Sequence, residues 1–202
     1  EVSERFEEYL KVIQPILQEQ DHEIQGHGIH PQWKHNDNSP VKNERYKMLM
    51  AFLAMKDTGM QTHSFPTYGA FICGNQVQLD VKRDNYIRII NAFNKIEAVK
   101  AYLFSNSEFS GAAWDTKVSR DIFWEKSLHG YFKENVGIYP KEYKSEEEFF
   151  NNLVKTAIFT ATREGKSYYF KPIRVKDYLE QKEIKAYSAD GNEKNIKPMK
   201  ED

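Results

Sequence analysis

The stretch Ala157-Ile158-Phe159-Thr160-Ala161-Thr162-Arg163-Glu164-Gly165-Lys166-Ser167-Tyr168-Tyr169-Phe170-Lys171-Pro172 decides the fold class. Two strand-forming runs, Ala157–Thr162 and Ser167–Pro172, flank Arg163-Glu164-Gly165-Lys166, which is the pattern of a β-hairpin. Working outward, helical spacing dominates. Phe6, Leu10, Ile13, Ile16 and Leu17 recur every three or four residues and predict an amphipathic helix over 3–20. Tyr46, Leu49, Met50, Leu53 and Ala54 predict a second helix over 42–57, and Ile87, Ile90, Phe93 and Val99 a long one over 84–105, capped by Asp84. Ser145 and Glu148 have capping-box spacing before a helix at 146–158, and a short helix over 175–181 follows the hairpin.

A second strand is predicted over 71–81. Alternation puts Ile72, Gly74, Gln76, Gln78 and Asp80 on one face, and Cys73, Asn75, Val77, Leu79 and Val81 on the other. The glycine- and proline-bearing stretch from Gln25 to Pro40 and the segment from Ser105 to Lys117 read as loops, the latter leading into an aromatic-rich region around Arg120 and Trp124. Helices with a few strands and a hairpin make the expected class α+β, and there are no internal repeats. Residues 183–202 are polar and are expected to form a tail beyond a domain of residues 1–182.

Composition bounds the function. A chain of 202 residues that is 40% hydrophobic and 14% aromatic has enough apolar side chain for a core. With 29 basic against 30 acidic residues there is no basic excess to hold a phosphate backbone, so nucleic acid is not an expected partner. The single cysteine excludes an intrachain disulfide framework and fits a reducing compartment. No apolar run approaches the roughly 18–20 residues that span a bilayer, so no membrane partner and a cytoplasmic location are expected.

Chemistry-bearing residues are few. The polar face of Gln76, Gln78 and Asp80 reads either as the wet side of a surface strand or as the lining of a pocket, since an amide both donates and accepts. Arg45, beside Tyr46, and Arg120, near Trp124, offer planar forks suited to a carboxylate or phosphate; either arginine also reads as a solvated surface residue. His27, His30 and His35 cluster in sequence but lack helical metal-site spacing and a cysteine partner, and read as loop histidines. Cys73 reads as a small buried hydrophobe. The chain has neither a Walker phosphate loop nor a dinucleotide glycine fingerprint.

In order, these segments resemble the plant- and proteobacterial-type glutamate–cysteine ligases. The matching elements are Gly26-His27-Gly28-Ile29-His30-Pro31, Arg45-Tyr46 with Met48, and Asn75-Gln76-Val77-Gln78-Leu79-Asp80. They continue with Leu103-Phe104-Ser105-Asn106-Ser107, Ser119-Arg120 with Trp124, the Arg163-Glu164-Gly165-Lys166 tip, and Val175-Lys176-Asp177-Tyr178-Leu179. Glu108 stands where the family has proline, and Gln78 where asparagine is common.

The resemblance implies a glutamine-synthetase-like antiparallel sheet flanked by helices. It also implies an ATP-dependent ligase with Mg, joining the γ-carboxyl of glutamate to the amine of cysteine through an acyl phosphate. Under it, Arg120 and Gln76 are catalytic, Gln76 also facing the metal, and Arg45, Tyr46, Gln78, Asp80 and Trp124 bind substrate. The family's metal-holding first strand and its Glu-x-Arg strand lie outside this segment, so the chain is expected to be the central part of a catalytic domain. The alternative expectation is a non-catalytic member of the fold that serves as a binding or partner-interaction module.

Overall fold

The computed structural model describes residues 2–56, 58–74 and 76–202. Its helices are α1 (Val2–Gln18), α2 (Glu44–Leu53), α3 (Tyr86–Phe104), α4 (Ser119–Glu125), α5 (Glu146–Leu153) and α6 (Val175–Glu180). Its strands are β1 (Ala157–Arg163), β2 (Lys166–Arg174), β3 (Ile184–Ser188) and β4 (Glu193–Ile196), in one antiparallel sheet of order β1-β2-β3-β4. The architecture is α+β, with the helices largely preceding the sheet in sequence.

The hairpin forms as its sequence demands. Glu164 and Gly165 both take positive φ, 52° and 75°, and Arg163 pairs with Lys166. Two consecutive left-handed residues make the tight turn whose twist matches that of its flanking strands. The β1–β2 register shifts between Ile158 and Thr160, opposite the part of β2 that holds Pro172, which has no N–H to give the ladder. Ser145 caps α5 by accepting from the amide of Glu148, whose carboxylate accepts from the Lys144 amide. Asp84 does not cap α3. It lies in a 3-10 turn, Arg83–Asn85, and Asn85 holds the cap position without a side-chain bond.

Two larger expectations fail as well. The strand over 71–81 does not form. Only Ile72 enters a bridge, with Ile29, and residues 76–82 have no strand partner among the described residues. A strand is stable only through its pairing, and the four-strand sheet is completed within residues 157–196. Gln76, Gln78 and Asp80 are exposed, as are Val77 and Leu79, so no polar and apolar faces are separated. Cys73, expected to be buried, is exposed, because pairing ends at this point in the chain. Asn75 lies outside the described residues.

The second correction concerns residues 183–202, which are not a polar tail but carry β3 and β4. Ile184 and Ala186 face a cluster of Ala161, Tyr168, Phe170, Tyr178 and Ile196, while Lys185 and Tyr187 face the other side. Asp202 latches onto the sheet. Asp202 accepts from the Arg163 guanidinium (Nη2 to Oδ2 2.7 Å), from the Tyr178 hydroxyl and from the Met199 amide, and its side chain is only 4% exposed.

The opposite sheet face is covered by α2. Met48 and Phe52 pack with Leu128 and Tyr169, and Phe52 stacks on Phe159 with centroids 4.1 Å apart. A third cluster is almost wholly aromatic: Tyr68, Phe71, Phe109 and Phe123 with Ile29, ringed by Trp33, Phe65, Trp114 and Trp124. Helix α1 buries no residue and leaves Phe6, Val12 and Ile16 exposed. No helix is long and apolar enough to cross a membrane among the described residues.

The latch predicts that Asp202→Asn, which leaves Arg163 without its counter-charge, lowers unfolding free energy by about 2 kcal/mol. Urea unfolding measures it; an unchanged midpoint contradicts a structural role for Asp202.

Candidate functional site

Four segments distant in sequence are stitched together by backbone bonds. His30 donates to the Phe71 carbonyl and Cys73 to the Gly28 carbonyl, each at 2.8 Å. Gly28 donates in turn to the Asn106 carbonyl at 3.0 Å, and Asn106 Nδ2 to the Gly26 carbonyl at 2.8 Å. Ser107 donates to the Lys117 carbonyl at 2.9 Å and accepts from Ser119 at 3.2 Å, in a parallel bridge to Val118. Gly28 has a steric reason to be glycine: a Cβ there would lie 2.8 Å from Asn106 Oδ1 and 2.9 Å from Ser107 Cβ.

This stitching starts α4. The amide of Arg120, one of the orphan donors of the first turn, donates to Ser107 Oγ at 3.3 Å, and Ser107 and Ser119 are both buried. Arg120 is thereby placed beside Gly74. A Cβ built on Gly74 meets Arg120 Nη2 at 2.6 Å, Cζ at 2.7 Å and Nη1 at 3.1 Å. Arg120 Nε is buried without a hydrogen-bond partner, and no carboxylate lies within ion-pair distance of the guanidinium among the described residues. A half-buried, unpaired guanidinium is costly to keep and chemically ready for an anion. Its neighbour Asp121 has its pKa raised by burial, opposed by Arg120 and reinforced by Glu97 and Glu125.

The sequence-predicted residues divide sharply. Arg120 is seated where three of the resembling segments meet the stretch Phe71–Gly74, and Trp124 lies one turn along α4, edge-on to Tyr68 (5.4 Å) and His129 (4.6 Å). Gln76, Gln78 and Asp80 follow Gly74 on the exposed segment and are not gathered into a pocket. Arg45 is exposed in the first turn of α2, and the Tyr46 amide donates to the capping Asn43 side chain. Among the described residues no hydrogen bond, ion pair or ring contact joins Arg45 or Tyr46 to Arg120. His30 organises backbone, its Nδ1 accepting from the Gln32 amide at 3.1 Å.

Among the described residues no group of three or more His, Cys, Asp or Glu is placed to hold a metal. Gln76, expected to face the metal, stands exposed without such a group around it.

Sequence reasoning missed Gly74 and His129. Gly74 carries no turn signal; its role appears only in contact. His129 lines a cavity of about 1000 Å³ with Trp124, Asp121, Glu97, Glu125 and Lys133. It shares a 2.9 Å hydrogen bond between Nδ1 and the Tyr68 hydroxyl, and Tyr68 Oη lies 3.1 Å from Ser127 Oγ. Burial pushes the His129 pKa down to about 4 and that of Tyr68 up to about 12.

These groups set the acid response. His129 titrates lower in the folded chain than its ordinary 6.5, so the unfolded chain binds the extra proton between those values. Stability is full above pH 6.5 and falls by up to about 3 kcal/mol toward pH 4. His63, also pushed down by burial, adds in the same direction. Urea unfolding across this range should show the loss and a shallower one in His129→Asn. Equal slopes in the two proteins rule the assignment out.

The comparisons with known proteins give one match. The family model described as glutamate-cysteine ligase family 2 (GCS2) matches residues 1–190, nearly the whole chain and every segment of the stitched site. No curated protein and no solved structure matches. The chain belongs to glutamate–cysteine ligase family 2.

Proposed function

We propose that this chain acts in ATP-dependent ligation of glutamate to cysteine, the first step of glutathione biosynthesis, in the cytoplasm, and that Arg120 holds a substrate carboxylate. The observation that carries this is the unpaired Arg120 guanidinium, seated where the family's segments meet. Glutamate carries two carboxylates. One must be anchored while the γ-carboxylate oxygen attacks the γ-phosphorus of ATP, supplied as its magnesium complex, and ADP leaves. The amine of cysteine then attacks the carbonyl carbon of the acyl phosphate, releasing phosphate and one proton. Anchoring lowers the barrier by fixing the attacking oxygen in line with the leaving group. A two-point guanidinium–carboxylate contact suits that task, because it fixes orientation as well as position.

Gln76, Gln78 and Asp80 extend from Gly74, the residue against which Arg120 rests, and we assign them to the substrate side of the same site. Arg45 and Tyr46 are assigned to its outer wall, and Trp124 to the packing that holds α4. A second reading has one observation in its favour. Val77 and Leu79 are exposed on a segment without a strand partner among the described residues, which suits a module that pairs with another chain.

The ligase reading predicts that Arg120→Ala raises the KM for glutamate by about 10- to 100-fold, the worth of a charged two-point contact, with the KM for ATP little changed. Steady-state kinetics with each substrate varied decides it. An unchanged glutamate KM removes Arg120 from the substrate site.

A further inference from the structure

We infer that Gly74 is a positioning residue for Arg120: its missing side chain is the seat of the guanidinium. The inference rests on the carboxylate-clamp reading of Arg120 and goes beyond it by naming what aims the clamp. All three heavy atoms nearest to a Cβ at Gly74 belong to Arg120, at 2.6, 2.7 and 3.1 Å. Its φ is outside the left-handed region, so the backbone does not itself require glycine there. What excludes a side chain is the guanidinium alone.

Gly130 shows the contrast with a glycine held by backbone. A Cβ at Gly130 would strike the Glu125 carbonyl oxygen at 1.9 Å, which is backbone and cannot yield, so that glycine serves the fold. A Cβ at Gly74 strikes only the mobile end of a side chain. The Arg120 side chain can swing aside at little cost to stability while its backbone amide stays on Ser107, but the guanidinium then leaves the place where its Nε is buried. Substitution at Gly74 should therefore separate binding from folding. A glycine kept for the fold cannot do this.

Four proteins test it: wild type, Gly74→Ala, Arg120→Ala and the double variant. Each is assayed for L-glutamate KM with Mg-ATP and cysteine, for urea unfolding, and for the Arg Nε–H resonances of ¹⁵N-labelled protein, with Arg120 assigned by the resonance lost in Arg120→Ala. Gly74→Ala should shift the Arg120 Nε–H resonance, leave the unfolding midpoint close to wild type, and raise glutamate KM about tenfold. The double variant should match Arg120→Ala, because residues acting through one contact are not additive. An unmoved Nε–H resonance overturns the inference whether or not glutamate is turned over. So does a KM effect of Gly74→Ala that persists in the Arg120→Ala background. A shifted resonance with glutamate KM unaltered in both single variants upholds the seat but overturns the clamp, and with it the positioning role.

Discussion

Gly28 lies so close to Asn106 and Ser107 that no side chain fits between them, and the arrangement of the site follows from that contact. With the two backbones this near, the Gly28 amide reaches the Asn106 carbonyl, and the carbonyl of the same glycine accepts from Cys73. Ser107 is then fixed against residues 117–119, and its hydroxyl receives the Arg120 amide. A loop near residue 28, the stretch at 71–74, the exit of α3 and the start of α4 are held by these short bonds rather than by a shared sheet. Such a scaffold is stiff. Gly28, Ser107 and Ser119 are buried, so pulling their bonds apart leaves a buried donor or acceptor unpaired.

Beneath it the aromatic cluster does the work that strands do elsewhere. Phe71, Phe109 and Phe123 come from three of the stitched segments and pack on one another, Phe71 on Phe109 at 6.0 Å and Phe109 on Phe123 at 4.8 Å. Burial of large rings supplies the free energy, and the stacked and edge-to-face geometries limit how the segments can slide. The four-strand sheet is a separate support. It meets the site through α2, Leu128 and His129, with the neutral imidazole lying between Trp124 and Phe159. That position explains why His129 must shed its proton to stay buried.

Much of this was legible in the residues. The Glu164-Gly165 turn, the α5 cap and the helical spacings are local signals, and local physics sets them. The apolar and polar alternation of 76–81 misled because alternation states what a strand needs, not whether a partner is present. The strands β3 and β4 were hidden by polar composition, although Asp190-Gly191 between Ile184–Ser188 and Glu193–Ile196 is a turn signal and Gly191 takes φ of 80°. Arg120 and Trp124 were found through family motifs. Gly74 and His129 were not, because their parts depend on contacts with residues 46 and 61 positions away, which no local pattern encodes.

The family match supports a glutamate–cysteine ligase-type function, and the proposal that Arg120 anchors a substrate carboxylate rests on its guanidinium seated against Gly74. The most direct measurement is ADP release by this chain in Mg-ATP and glutamate, with cysteine added or withheld. The account predicts ADP formation that requires glutamate and rises when cysteine is added. ADP release indifferent to both amino acids, or none at all, contradicts the claim that this chain carries a working ligase site.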